Sequence, residues 1–374
     1  MRKLTVLQVL PALQSGGVER GTLEIASHLV SQGHRSLVMS AGGRMVPALE
    51  ATGSTHFTCA IGRKSLLTFL LIPKLRKLWR QEQVDIVHVR SRFPAWVVFL
   101  AWKGMPPAQR PHLVTTVHGY YRPGWYSRIM TCGERVIVIS KTIQSYVQRE
   151  YLVNAEKLQL IFRGVDTTQY TPGYQPDSDW QKSWYAQYPQ TRGKRLLVLP
   201  ARISRWKGAE DFVDLLSIVC RQHKDVHALL VGEVAQDKEA FAAHLQQKIQ
   251  QADLAERVTL TGYRQDVKQI MAISSIAYSL SLEPEAFGRT TVEALSLGVP
   301  VIGYQHGGVA EQLAALLPEG AVQVGNVAEA AMLTLSWLEQ PPAVMPNTRF
   351  SLQVMQQRTL EVYQQVVADC GQEP

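Results

Sequence analysis

Glu285 and Glu293 stand eight positions apart in the stretch SLEPEAFGRTTVEALSLGVPVIGYQHGG, residues 281–308. The run reads as strand end, loop, short helix, strand and a second glycine loop. A helix opening near Phe287 and Gly288 leaves Glu285 in the loop before it and puts Glu293 two turns in. Two carboxylates then flank a helix N-terminus, whose unpaired N–H groups and positive dipole end attract anions. An anion held there, with carboxylates beside it to grip hydroxyls, suits a sugar joined to a phosphate.

Other residues of the right type recur at junctions between strands and helices. Arg202 and Lys207, in ARISRWKG, follow a strand and precede a helix. A forked guanidinium and a compact ammonium together suit a pyrophosphate, although a solvated basic loop has the same composition. Gly16 and Gly17 follow the first strand and open the first helix, where glycine lets the backbone approach a ligand or simply makes a tight turn. That loop is neither GxGxxG nor GxxxxGK[ST], so the dinucleotide and P-loop fingerprints fail. His118 ends a strand in TTVHG, a position that favours a site role. Gly307 and Gly308 repeat the glycine-then-helix device, with Glu311 behind them. Asp177 and Asp179 form a DxD-like pair of the kind that can hold a divalent metal, but off any strand end; no metal site is expected.

Apolar segments of strand length alternate with helical periodicities along the chain. The first run of units spans Leu4–Leu10 to Leu158–Phe162, and the second spans Arg195–Leu199 to the helix Ala328–Leu338. Near-continuous apolar strands between helices imply parallel sheets covered on both faces, with ligands at the C-terminal strand ends. Between the two runs, Asp166–Gly193 is polar, with prolines and aromatics and no clear period, and reads as a connection. The expected organisation is two Rossmann-like α/β domains, 1–168 and 169–351, followed by a last helix in 352–374.

The chain has 374 residues, 46% of them hydrophobic and 19% charged, which excludes disorder. Cys59, Cys132, Cys220 and Cys370 are far apart and show no CxxC pairing, so neither a disulfide framework nor a zinc site is indicated. No signal peptide and no run long enough to span a bilayer is visible, which gives a cytoplasmic expectation. The surplus of 39 Lys and Arg over 31 Asp and Glu suits an anionic partner.

Together these motifs resemble the retaining nucleotide-sugar glycosyltransferases of the GT-B fold. The Glu-x7-Glu signature is Glu285 to Glu293, supported by Ser15-Gly16-Gly17-Val18-Glu19, by Arg202 with Lys207-Gly208, and by Gly307-Gly308-Val309-Ala310-Glu311. The resemblance covers nearly the whole chain and implies two α/β domains facing across a cleft, with the last helix, in 352–374, packing back on the first. It implies that Arg202 and Lys207 hold the donor diphosphate without a metal or other cofactor. Glu285 then binds the sugar hydroxyls and Glu293 the ribose, with Phe287, Gly288, Arg289 and Thr290 giving backbone N–H groups. Gly16 and Gly17 let the donor approach from the first domain, and His118 lies near the transferred sugar.

Two departures matter. Arg163, in FRGVD, stands where the family often has asparagine, and Phe287–Thr290 with Tyr304 and His306 resembles a bacterial lipopolysaccharide-core subgroup. Residues 63–80 combine apolar and basic residues at roughly helical spacing. That pattern fits a helix on an anionic membrane and equally a core helix with a solvated basic face. With Arg90, Arg92, Arg122 and Arg128 also in the first half, the expected acceptor is a lipid-linked saccharide, a lipopolysaccharide core, met at the inner face of the cytoplasmic membrane. The alternatives are a soluble transferase acting on a sugar or sugar phosphate, and a non-catalytic nucleotide-sugar binder. Nucleic acid is not expected, since paired glutamates at a phosphate site have no job there.

Overall fold

The computed structural model describes residues 2–14, 16–234 and 239–369. Two compact units divide it: Met1–Gly164 with Leu352–Pro374, and Val165–Ser351.

The first unit is a seven-stranded parallel sheet in the order β3-β2-β1-β4-β5-β6-β7. Its strands are Thr5–Val9 (β1), Arg35–Ser40 (β2), Thr55–Thr58 (β3), Ile86–Val89 (β4), His112–Val117 (β5), Arg135–Val138 (β6) and Leu158–Leu160 (β7). The strand order reverses between β1 and β4, which opens a crevice at their C-terminal ends. β1 and β4 are buried throughout but for Thr5, so they read as apolar runs without alternation. The helix Gly17–Ser31 covers one face beside the last helix, Leu352–Asp369. Met355, Leu360, Val362, Tyr363 and Val366 of that last helix share a core with Leu4, Val6, Ile86 and Val114. The C-terminal segment, remote in sequence, thus completes this unit; Cys370 lies outside the described residues.

The second unit is a six-stranded parallel sheet, β10-β9-β8-β11-β12-β13. Its strands are Arg195–Leu199 (β8), Val226–Val231 (β9), Val258–Gly262 (β10), Ile276–Ser279 (β11), Val301–Tyr304 (β12) and Ala321–Val322 (β13). The order reverses between β8 and β11. The two motif-bearing loops, Arg202–Lys207 and Ser281–Gly288, follow those two strands and so meet at this second crevice.

Three expectations change. The segment 166–193 contains a helix, Ser178–Gln187. Asp177 caps it by accepting from the Trp180 N–H at 2.8 Å, and Trp180 stacks on the buried Trp184. Asp179 instead pairs with Lys182 on the surface. The DxD-like pair is therefore a helix start. Within the stretch 63–80 whose spacing suggested one helix, Leu66–Leu71 form a 3-10 turn and the helix proper is Ile72–Gln81. Pro73 sits in the first turn of the second segment, where its missing N–H costs nothing. The helix after Gly288 begins at Arg289, so Glu293 stands just over one turn in, not two. Gly288 has φ of +83°, which ends the loop in a left-handed conformation before the helix begins.

Candidate active site

In the second unit Lys207 and Glu285 meet. Lys207 Nζ donates to Glu285 Oε1 at 2.6 Å, and Ser281 Oγ donates to the same oxygen at 2.6 Å. Both charged side chains are largely buried, so their attraction is screened less than on an open surface. The Lys207 ammonium also lies 4.0 Å from the centre of the Trp206 ring, a cation–π contact.

The backbone around this pair is drawn tight. Gly208 has φ of +73°, and a Cβ built there would lie 2.0 Å from the Leu280 carbonyl oxygen. Only glycine lets the loop after β8 press on the end of β11. The Leu282 N–H donates to the Trp206 carbonyl at 2.7 Å, joining the two loops. Gly308 N–H donates to the Glu285 carbonyl at 2.7 Å, and a Cβ at Gly308 would lie 2.5 Å from Phe287 Cα. The Gly307-Gly308 pair therefore serves backbone packing against Glu285–Phe287 as well as opening the helix Gly307–Leu316. Gln312 of that helix donates to the Phe287 carbonyl, and His306 Nε2 donates to the Ser281 carbonyl at 2.6 Å.

Glu293 is buried, and Arg289 Nε donates to its Oε1 at 3.0 Å, one turn apart on the same helix. Gly288, Arg289 and Thr290 form the helix start, whose first N–H groups have no intrahelical acceptor. Arg202 is exposed on the loop after β8. Lys207, Glu285, Phe287–Thr290 and Glu293 thus share the β8 and β11 strand ends of one unit. Gly16, Gly17 and His118 belong to the other.

In the first unit Arg163 joins the remaining residues. Its Nη2 donates to the Gly17 carbonyl at 3.2 Å and meets His118 Nδ1 at 3.1 Å. Gly21 makes room for it, since a Cβ there would lie 2.0 Å from Arg163 Nη1. A guanidinium has no acceptor, so His118 Nδ1 must offer its lone pair and the proton sits on Nε2. Ser15 of the glycine motif lies outside the described residues. Gly16 adopts φ of +136° just before the helix.

His118 lines a cavity of about 20 Å³ with His88, Arg90, Thr116 and Arg163, enough for roughly one water. His118 Nε2 and two guanidinium nitrogens of Arg90 are buried without a hydrogen-bond partner among the described residues. His88 shares its ring nitrogens with the Tyr363 and Thr116 hydroxyls, each at 2.6 Å. Burial first, and then the Arg90 and Arg163 charges, hold both imidazoles uncharged, well below the ordinary histidine range.

The sequence reading placed one residue wrongly. Arg90 is not a surface cation for an acceptor: it is buried beneath the last helix, near Tyr363. Tyr304 is a core residue whose hydroxyl donates to Asp211. Ser281, Gln312, His88 and Tyr363 escaped notice because nothing in their local sequence distinguishes them. Their roles arise from elements far apart in the chain.

Comparison with known proteins bears on the family and the fold. The family model described as Glycosyltransferase Family 4 matches residues 15–169, and that described as Glycosyl transferases group 1 matches residues 181–350. The chain belongs to the group 1 glycosyltransferases. A solved glycosyltransferase from Rickettsia africae is similar over 98% of this chain and 99% of its own, at 28% identity and a TM-score of 0.85. Among curated relatives, the phosphatidylinositol N-acetylglucosaminyltransferase GPI3 subunit of Saccharomyces cerevisiae is 25% identical over 80% of this chain and 67% of its own. The N-acetyl-alpha-D-glucosaminyl L-malate synthase of Bacillus anthracis is 24% identical, covering 80% and 78%. The lipopolysaccharide core biosynthesis mannosyltransferase LpsB of Rhizobium meliloti is 25% identical, covering 76% and 77%. This glycosyltransferase has the GT-B fold. It is a retaining hexosyltransferase with a nucleotide-sugar donor, related to lipopolysaccharide-core enzymes.

Proposed function

We propose that this glycosyltransferase moves a hexose (mannose, glucose or N-acetylhexosamine) onto a lipid-linked saccharide of the lipopolysaccharide-core type. The donor is held by the second unit. The observation that carries this reading is the Lys207–Glu285 pair at 2.6 Å beside the start of the helix Arg289–Ser296. Each partner is poised to exchange the other for part of the donor. Lys207 turns to the diphosphate and Glu285 to the sugar hydroxyls. Arg202 adds a second cation, the N–H groups of Phe287–Thr290 meet phosphate oxygens, and Glu293, oriented by Arg289, binds the ribose.

The reaction breaks the bond between the anomeric carbon and the phosphate oxygen, and the leaving diphosphate takes the electron pair. Fixed cations and helix N–H groups stand where that charge develops, so they stabilise it without reorganising. No step calls on a metal. Retention follows if the acceptor hydroxyl attacks from the face the diphosphate leaves, giving its proton to the departing phosphate oxygen. His118 cannot take that proton through Nδ1, whose lone pair Arg163 already occupies. It offers Nε2–H as a donor instead. Gly16 and Gly17 lie beside Arg163 and complete the first unit's contribution.

Two relatives support a glycolipid acceptor: one is named for phosphatidylinositol and one for the lipopolysaccharide core. Such an acceptor puts the reaction on the inner face of the cytoplasmic membrane. The relative named for L-malate favours a second reading, in which the acceptor is a small soluble molecule. Thermal-shift screening against UDP-, GDP- and ADP-sugars identifies the donor. Labelled transfer to a glycolipid, a sugar phosphate and L-malate then separates the readings. Transfer to the glycolipid is expected; transfer only to a soluble acceptor overturns the first reading, and donor binding without transfer overturns both.

A further inference from the structure

The 3-10 turn Leu66–Leu71 exposes what a soluble surface ordinarily hides. Leu66 is 86% exposed, Leu67 71% and Leu70 70%. Single exposed leucines are ordinary, but three within five positions of one turn are not. The helix that follows does not share this exposure, since its Leu75 and Trp79 are buried. The apolar and basic residues of 63–80 thus divide by position: a core-packed helix behind and an unpacked leucine turn in front.

The turn is continuous with a second exposed apolar group. Phe69 meets Phe93 edge-on, with ring centres 6.0 Å apart. Phe93 and Trp96 lie one turn apart on the helix Arg92–Lys103, and Trp96 meets Trp125 with ring centres 5.4 Å apart. Trp125 is 76% exposed. Trp96 Nε1 donates to the Tyr126 carbonyl at 3.1 Å, which fixes the Trp125 turn to the same helix.

Charge selects the occupant. Residues 51–81 contain no Asp or Glu, and neither do residues 86–133, although the whole chain has 31. In the first stretch Arg63, Lys64, Lys74, Lys77 and Arg80 are exposed around the leucine turn, and in the second Arg122 and Arg128 flank Trp125. A second copy of this chain would set like charge against like. An anionic lipid surface complements both features, taking leucine and tryptophan into its interface and the cations onto its headgroups. No helix among the described residues is long and apolar enough to cross a membrane, so attachment here means lying on the surface.

We propose that the turn Leu66–Leu71, with Trp125 and the flanking Arg and Lys side chains, is the surface by which this glycosyltransferase docks on an anionic membrane. The proposal deepens the glycolipid reading by naming where the enzyme meets the lipid phase, and rests on that reading only for its purpose. The test is flotation of the full chain with vesicles of phosphatidylcholine, with and without phosphatidylglycerol, at low and high salt. No vesicle contains a saccharide lipid, so the result is independent of the acceptor. Wild type should float with the anionic vesicles at low salt and be released by high salt. The triple variant Leu66→Ser, Leu67→Ser, Leu70→Ser should float at least roughly tenfold less, with unchanged thermal unfolding and unchanged donor hydrolysis. Wild type that stays with the unbound fraction at low salt overturns the proposal, as does a triple variant that floats like wild type. A dimer that the triple variant abolishes, without any flotation of wild type, also overturns it and marks the patch as a self-association face.

Discussion

At the strand ends of the second unit, cations come with carboxylates: Lys207 with Glu285, and Arg289 with Glu293. At those of the first unit, Arg90 and Arg163 line a small cavity with two uncharged imidazoles, and no Asp or Glu lines it among the described residues. The difference separates two tasks. Paired charges cost less to bury than lone ones and can exchange partners, which suits a donor that carries both phosphate and hydroxyls. The two guanidiniums beside His118 keep that histidine neutral, and the Arg163 contact fixes its tautomer, which suits a fixed hydrogen-bond donor. On the proposed reading, the second unit lets go of its own contacts when the donor binds, and the first keeps its own.

Gly208 and Gly21 break this comparison at its two ends. A Cβ at Gly208 meets backbone, the Leu280 carbonyl, whereas a Cβ at Gly21 meets the end of a side chain, Arg163. Gly208→Ala should therefore lose transfer altogether and destabilise the protein by about 2–4 kcal/mol, since neither strand end can retreat and φ is positive. Gly21→Ala should stay folded and fail mainly through the displaced Arg163. Calorimetry with initial-rate assays distinguishes them, and equal losses of stability would erase the distinction.

Arg163→Met sharpens the first unit's side. It should lower transfer by roughly tenfold to a hundredfold, the worth of one charge-assisted contact. Spectra of ¹⁵N-labelled histidine should show His118 as the Nε2–H form from mildly acidic to mildly basic pH in wild type. In the variant they should show a mixture of tautomers whose protonation midpoint has risen, because one like charge is gone. A wild-type His118 protonated on Nδ1 would contradict the tautomer read from the Arg163 contact.

Acid separates the units more gently. His88 and His118 are held below the ordinary histidine range in the first unit, and His227 is pushed down to about 4 in the second by burial and then by Arg257 and Lys194. Below the ordinary value near 6.5 the unfolded chain binds protons that the folded chain refuses. The stability is thus complete above that value and is lost as pH falls through it. The melting temperature should drop by several degrees between neutral pH and pH 5. Hydrogen exchange should show the first unit opening before the second; the reverse order would mean that its buried histidines cost less than their surroundings imply. Chelators, the smallest expected effect, should leave transfer unchanged.

Much of this was legible in the chain. Strands β1, β4, β8 and β9 announce themselves as apolar runs, and the loops that follow parallel strands are where ligands must bind, so the motifs fell into place. What escaped depends on distance. The helix Ser178–Gln187 hides in a polar segment because its period is carried by tryptophans and its start by Asp177. Arg90 looks like any exposed cation until the last helix, some 270 residues later, lays Tyr363 beside it. The reason for Gly307 and Gly308 lies in the loop at Glu285, and the reason for Gly21 in Arg163. Pairings of this kind are properties of the fold and leave no local pattern.

In the proposed mechanism Lys207, held by Glu285 until the donor arrives, stabilises the departing diphosphate. The most direct test is the single-turnover rate of sugar transfer by Lys207→Ala at saturating donor. The predicted result is a loss of about a thousandfold or more, with unfolding temperature and circular dichroism close to wild type. A rate near that of wild type in the folded variant would rule this role of Lys207 out.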